Sequence, residues 1–212
     1  MKKYEVLNRI RQEKLLAIIR LSDGELAEKC FEALYEGGVT CIELTFTVPY
    51  AHTLLETLTK KFGGKMLVGA GTVLDEATAR IAILSGAKFL VTPTLNAEVI
   101  KTGNRYGVPV FCGVATATEA LTALELGVDV VKAFPAGQFN PSVIKDWKGP
   151  LPNLEVMPTG GIGIENVAEW LKAGAFACGV GGAILEGYKE GDFAKVTATA
   201  KRFKAAVEGV KA

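Results

Sequence analysis

The sequence predicts a (β/α)8 barrel preceded by an extra N-terminal helix, and three observations lead there. Eight apolar, β-rich segments recur at intervals of 20 to 26 residues. Amphipathic stretches with helix caps lie between them, and no G-x-G-x-x-G follows the first strand. Strand–helix alternation implies parallel strands joined by right-handed crossovers. Eight such units in about 200 residues suit a closed barrel at the short end of its size range. An open doubly wound sheet is the competing architecture, and the absent dinucleotide fingerprint after "LLAIIRLSDGE" disfavours it.

In chain order, "YEVLNRIRQE" reads as the extra helix. The strand segments are "LLAIIR" (15–20), "CIELTF" (41–46), "LVGAGTV" (67–73), "FLVTPT" (89–94), "PVFCGV" (109–114), "VVKAFP" (130–135), "EVMPTGG" (155–161) and "ACGVGG" (177–182). Between them, "DEATARIAILSGA" opens on Asp75 and closes on Gly86. "TATEALTALELG" opens with the capping box Thr116-x-x-Glu119 and closes on Gly127. "IENVAEWLKAGA" spaces Val167, Trp170 and Leu171 on one face and stops at Gly174. The last twenty residues read as a terminal amphipathic helix. No linker or low-complexity segment divides the chain, so residues 1–212 read as one domain.

The 212 residues are 49% hydrophobic and 22% charged, with a net charge of +1. That balance argues against a nucleic-acid binder steered by a strong positive field. No stretch approaches the roughly 18 apolar residues of a membrane span, and "MKKYEVLNRIRQEK" lacks an apolar signal core. A cytoplasmic protein is the expectation. Cys30, Cys41, Cys112 and Cys178 lie far apart in apolar surroundings and read as buried free thiols. His52 is the sole histidine and reads as a solvated residue opening a surface helix, which leaves no multi-histidine metal site.

"VDVVKAFPAG" sets a lysine, Lys132, inside an apolar strand, where an ammonium is costly to desolvate. Barrel strands alternate lumen-facing and helix-facing side chains. In "CIELTFT" Ile42, Leu44 and Phe46 form the helix-facing set, which turns Glu43 and Thr45 inward. The same parity turns Val130, Lys132 and Phe134 inward from strand six, opposite strand two. Two readings follow. A lysine with a pKa lowered by apolar neighbours forms a Schiff base with a ketone while Glu43 shuttles protons. Alternatively, Lys132 and Glu43 form a buried ion pair that merely fills the lumen. The glycines ending strands seven (Gly160, Gly161) and eight (Gly179, Gly181, Gly182) weigh toward the first. They suit backbone N–H contacts to a phosphate at the loops where barrels commonly hold one, with a helix start after strand seven adding its dipole.

The ordered set "GGVTCIELTFTVP", "VGAGTVLD", "VTPTLN", "GVATATEA", "VVKAFPAG" and "MPTGGI" resembles the 2-keto-3-deoxy-6-phosphogluconate (KDPG) / 4-hydroxy-2-oxoglutarate (KHG) aldolase family over nearly the whole chain. The resemblance implies a homotrimeric, metal- and cofactor-independent class I aldolase. It implies cleavage of a phosphorylated keto sugar acid to pyruvate and glyceraldehyde 3-phosphate, with 4-hydroxy-2-oxoglutarate as a side substrate. Lys132 matches the Schiff-base lysine and Glu43 the acid/base. Thr72 matches a threonine near the pyruvyl carboxylate, and Phe134 a pocket wall. Thr159, Gly160 and Gly161 match positions holding the phosphate-bearing end, and Pro93, Gly181 and Gly182 complete the expected contacts.

Two positions depart from the family pattern. Thr47 stands where some members carry an arginine for the pyruvyl carboxylate, and Arg20 resembles the arginine that others use. Gly182 replaces a common serine. "VTPTLNAEVI…CGVATATEALTALE" also resembles the sister aldolases of the galactonate epimer. A phosphate-binding barrel isomerase or epimerase with Glu43 as base is a further alternative, and a non-catalytic trimeric scaffold a third.

Overall fold

The computed structural model of the chain describes residues 2–210. Its parallel strands are β1 (Leu15–Ile19), β2 (Cys41–Thr45), β3 (Leu67–Gly71), β4 (Leu90–Thr92), β5 (Val110–Val114), β6 (Val130–Ala133), β7 (Val156–Pro158) and β8 (Cys178–Val180). They form one sheet in the order β7-β6-β5-β4-β3-β2-β1-β8. A parallel bridge between Thr159 and Gly179 all but closes the ring, helped by the Phe176 amide donating to the Val156 carbonyl at 2.8 Å.

The helices are α1 (Lys3–Glu13) before the barrel and α2 (Gly24–Glu36), α3 (Ala51–Lys61), α4 (Glu76–Leu84), α5 (Ala97–Tyr106), α6 (Ala117–Glu125), α7 (Val143–Lys148), α8 (Val167–Lys172) and α9 (Phe193–Glu208) around it. Local chemistry starts them: the side chains of Asp23, Asp75, Asn96, Thr116 and Asp192 each accept a backbone N–H at a helix start. The Thr116–Glu119 box is reciprocal. Thr116 Oγ1 accepts from the Glu119 amide at 3.2 Å, and Glu119 Oε2 accepts from the Thr116 amide at 3.0 Å. Gly86, Gly127 and Gly174 take positive φ just past α4, α6 and α8, where a side chain would be strained.

Strand alternation splits the interior into two cores. Outward residues such as Ile19, Leu44, Ala70 and Val131 pack with Phe31, Leu34, Leu55 and Phe203 of the helices. Inward residues Leu16, Cys41, Leu67, Phe89, Phe111, Val130 and Met157 form a separate floor, joined by Val6 and Ile10 of α1. Phe89 and Phe111 meet edge-on with centroids 5.8 Å apart. Burying each such ring contributes about 1.5–3 kcal/mol relative to exposure. Helix α1 therefore stoppers the amino end of the barrel.

Several strands stop short of their sequence segments. β4 ends before Pro93, which lacks the N–H a ladder needs; β7 ends at Pro158 before two glycines with φ near +80°. The helix expected from Ile164 begins only at Val167. Asn166 organises the intervening loop, accepting from the Gly163 amide at 3.0 Å and donating to the Gly161 carbonyl at 2.9 Å. The dipole expected at these glycines is therefore not supplied by α8.

All four cysteines are buried, and burial pushes the Cys41 and Cys178 thiols up to about 12. His52 is exposed on α3. Among the described residues no helix is long and apolar enough to cross a membrane, and no group of three His, Cys, Asp or Glu side chains is placed to hold a metal.

Candidate active site

Glu43 lies in register between Ile18 of β1 and Gly69 of β3; Lys132 lies between Gly113 of β5 and Met157 of β7. Three strands lie between β2 and β6 on either side of the ring, so the two side chains enter the lumen from opposite sides. Both sit one inward position above the apolar floor, toward the carboxyl ends of the strands.

Missing side chains make the room. A Cβ on Gly71 would collide with the Glu43 carboxylate, and one on Gly179 with the Thr159 hydroxyl. A Cβ on Gly113 would meet the Pro93 carbonyl group, which places the Pro93 backbone over the lumen above β5. Glycine at these inward positions reads from the sequence only as turn or packing residues; the close approaches give each a steric reason.

Glu43 is 0% exposed and Lys132 2%. Burial raises the Glu43 pKa against the charges of Lys132 and Arg20, which lower it. Burial likewise lowers the Lys132 pKa; Glu43 opposes this and Arg20 assists it. Desolvation dominates in both, favouring a neutral amine and a neutral acid. Neither Glu43 carboxylate oxygen has a hydrogen-bond partner among the described residues. A buried pair that only filled space would be expected to satisfy these atoms, so the ion-pair reading accounts poorly for them. The Lys132 ammonium nitrogen lies 4.8 Å from the centroid of the Phe134 ring, a π face able to stabilise a cation at that nitrogen.

Lys132 opens onto a cavity of about 250 Å³ whose wall also holds Arg20, Phe134, Thr159, Gly160, Gly181 and Gly182. The Thr159 hydroxyl is buried there without a hydrogen-bond partner among the described residues. Arg20 donates to Thr72 Oγ1 at 3.1 Å, across the top of the lumen. Thr72 has φ +54°, a left-handed backbone costly for a β-branched residue. Gly160 also has positive φ and approaches the Phe134 ring, where a Cβ would stand 3.3 Å away. The amides of Ala136 and Gly137 donate to the Thr159 and Gly160 carbonyls, both at 2.8 Å, tying the loop after β6 to the loop after β7.

The remaining expected residues stand off the cavity wall. Thr47 is exposed and shares a 2.8 Å hydrogen bond with Thr45. Gly161 packs toward Gly137, and Glu43, Thr72 and Pro93 flank the lumen rather than line the cavity. Sequence reasoning passed over Ile18, Leu21, Leu185 and Tyr188, which line it. Alternation from Leu16 would have found Ile18. Leu185 and Tyr188 sit in short 3-10 turns after β8 that carry no motif.

The fold and the comparisons with known proteins define the class, a class I lyase on a (β/α)8 barrel. The chain belongs to the KDPG and KHG aldolase family, whose match covers residues 6–199. It is 34% identical to the 2-dehydro-3-deoxy-phosphogluconate aldolase of Treponema pallidum, over 94% of each chain. It is 36% identical to the 2-dehydro-3-deoxy-6-phosphogalactonate aldolase of Escherichia coli K12, over 79% of this chain and 82% of that one. Among solved structures, the KDPG aldolase of Legionella pneumophila, with pyruvate captured as a covalent carbinolamine, superposes with a TM-score of 0.85 at 28% identity, covering 95% of this chain and 97% of that one.

Proposed function

We propose that this protein cleaves 2-dehydro-3-deoxy-6-phosphogluconate reversibly to pyruvate and glyceraldehyde 3-phosphate, through a Schiff base on Lys132. One observation carries the reading: a lysine only 2% exposed nonetheless lines the cavity, and burial favours its neutral amine.

The neutral amine adds to the C2 ketone, giving a carbinolamine; protonated Glu43 gives its proton to the carbinolamine hydroxyl, which leaves as water, and an iminium remains at Lys132 beside the Phe134 ring. Glu43, as carboxylate, takes the proton of the C4 hydroxyl. The C3–C4 bond breaks, its electron pair forms the enamine, and C4 departs as the aldehyde. Glu43 gives that proton to C3, and water then hydrolyses the iminium to pyruvate and free amine, the released proton returning to the Glu43 carboxylate. The burial-raised pKa of Glu43 suits an acid that must give its proton back. Arg20, held by Thr72, takes the pyruvyl carboxylate at the strand-one side, with the Thr47 hydroxyl beyond it; the Pro93 backbone borders the lumen from the opposite side, above β5. Thr159, with the backbone of Gly160, Gly161, Gly181 and Gly182, receives the phosphate-bearing end. Cleavage of 4-hydroxy-2-oxoglutarate uses the same lysine.

Borohydride with pyruvate is expected to add a three-carbon mass at Lys132, and Lys132→Ala to abolish both trapping and cleavage. No adduct in the folded wild type would favour the isomerase alternative and sink the imine. The galactonate epimer is the second reading, favoured by the 36% identity to an enzyme named for it; kcat/KM for the two epimers decides.

The chain is further read as a cytoplasmic homotrimer acting on these small molecules. Leu74, Ile81, Leu84, Tyr106 and Leu121, on or beside α4–α6, are large apolar side chains left exposed, with Leu84 68% exposed. Such a run suits a self-contact. Sedimentation should return three times the chain mass of 22.5 kDa; a monomer mass would remove this assignment.

A further inference from the structure

The catalytic cavity has a neighbour. Gly182, Leu185 and Tyr188 line it on the β8 side and also line a second, more open hollow of about 400 Å³ bordered by Lys189, Asp192 and Lys195. Of the three shared residues, Gly182 has no side chain and Leu185 is 2% exposed, packed into the outer core. Tyr188, half-buried and itself packed against that core, is the shared residue whose large side chain is partly exposed to both spaces.

That ring is set on a rigid mount. Gly187 takes φ +102°, and a Cβ there would stand 2.8 Å from the Asp192 carbonyl oxygen. The Gly187 carbonyl accepts from the amides of Glu190 (3.2 Å) and Asp192 (3.0 Å), and the Tyr188 carbonyl from Gly191 (3.1 Å). Asp192 then caps α9, accepting from the Lys195 amide at 2.9 Å. A turn closed by three hydrogen bonds and anchored on a helix start fixes the backbone from which the Tyr188 ring projects.

We propose that Tyr188 is the specificity-determining end wall of the catalytic cavity: it limits the length of the aldehyde half of the substrate. Removing the ring joins the cavity to the neighbouring hollow. The hollow is lined by Lys189 and Lys195, the latter paired with Glu186 at 2.9 Å, and by Glu190 and Asp192, so what it offers a longer aldehyde is room rather than a positive charge. The inference rests on the aldolase reading above, and a separate arm of the test checks that reading.

The measurement is kcat/KM for condensation of pyruvate with D-glyceraldehyde 3-phosphate against D-erythrose 4-phosphate, which is longer by one CHOH unit. One carbon's difference in a fitted pocket is worth about tenfold or more in discrimination. Tyr188→Ala should therefore lower the three-carbon preference by about tenfold, while Tyr188→Phe, which keeps the wall and loses only the hydroxyl, should leave it unchanged. Tyr188→Leu keeps apolar packing under a shorter side chain and should fall between; it also serves if the alanine variant does not fold. An unchanged preference in folded Tyr188→Ala or Tyr188→Leu overturns the proposal. So does an equal fall in Tyr188→Phe, which would assign the effect to the hydroxyl. Borohydride trapping of pyruvate is run on every protein. An unchanged preference with trapping intact overturns only the role of Tyr188, whereas no trapping in the wild type overturns the aldolase reading as well.

Discussion

Glu43 occupies the space in which a side chain on Gly71 would stand. Gly71 is thus a positioning residue for the proposed acid/base, one strand away from it. Gly71→Ala should push the carboxylate off its place while leaving Lys132, on the far side of the ring, able to react. Pyruvate should still be trapped by borohydride, but deuterium exchange at its methyl group, followed by NMR, should slow about 10²-fold, the scale of a lost general acid/base. Unchanged exchange in that variant would mean that the proton is carried elsewhere. At this scale the sequence was informative about direction. Parity in "CIELTFT" and "VVKAFP" turned Glu43 and Lys132 inward, because packing on the outer helices leaves polar side chains no other face. It was silent about satisfaction: that both Glu43 oxygens lack partners, or that Thr72 is left-handed, depends on neighbours distant in the chain.

The elements were legible where local chemistry fixes them. Helix α6 begins at the capping box that its sequence spells out, and two of its orphan donors depend on it. Thr116→Ala should cost about 1 kcal/mol in denaturant-induced unfolding, with little effect on catalysis, since Thr116 lies outside the cavity wall. No loss of stability would show that water caps this helix as well. Where an element's end is set by a tertiary partner, the sequence misled. α8 starts later than the glycines suggested because the Asn166 side chain first secures a loop across Gly161 and Gly163. The turn that presents Tyr188 contains no apolar period to read; it is defined by backbone bonds back to Gly187.

At the scale of the whole molecule, the chain's two ends are joined through one carboxylate. Glu13, last residue of α1, accepts from Lys204 of α9 at 2.7 Å and from Thr40, just before β2, at 2.9 Å. Burial pulls the Glu13 pKa up, but these hydrogen bonds and the Lys204 charge outweigh it and leave it below its ordinary 4.5. A folded-state pKa below the unfolded one contributes stability that is present above about 4.5 and lost as pH falls through the folded value. Glu13→Gln should therefore lower stability by about 1–2 kcal/mol at neutral pH. The deficit should shrink on acidification below 4.5, read from chemical unfolding at several pH values. A deficit independent of pH would assign the effect to packing alone.

The plug that α1 makes with Val6 and Ile10 has a consequence for traffic. A vessel sealed at its base has a single doorway, and whatever sits deepest must enter first and exit last. With Lys132 just above the seal and the loops proposed for the phosphate-bearing end nearer the mouth, the proposed condensation would admit the keto acid ahead of the aldehyde, and the proposed cleavage would release it last.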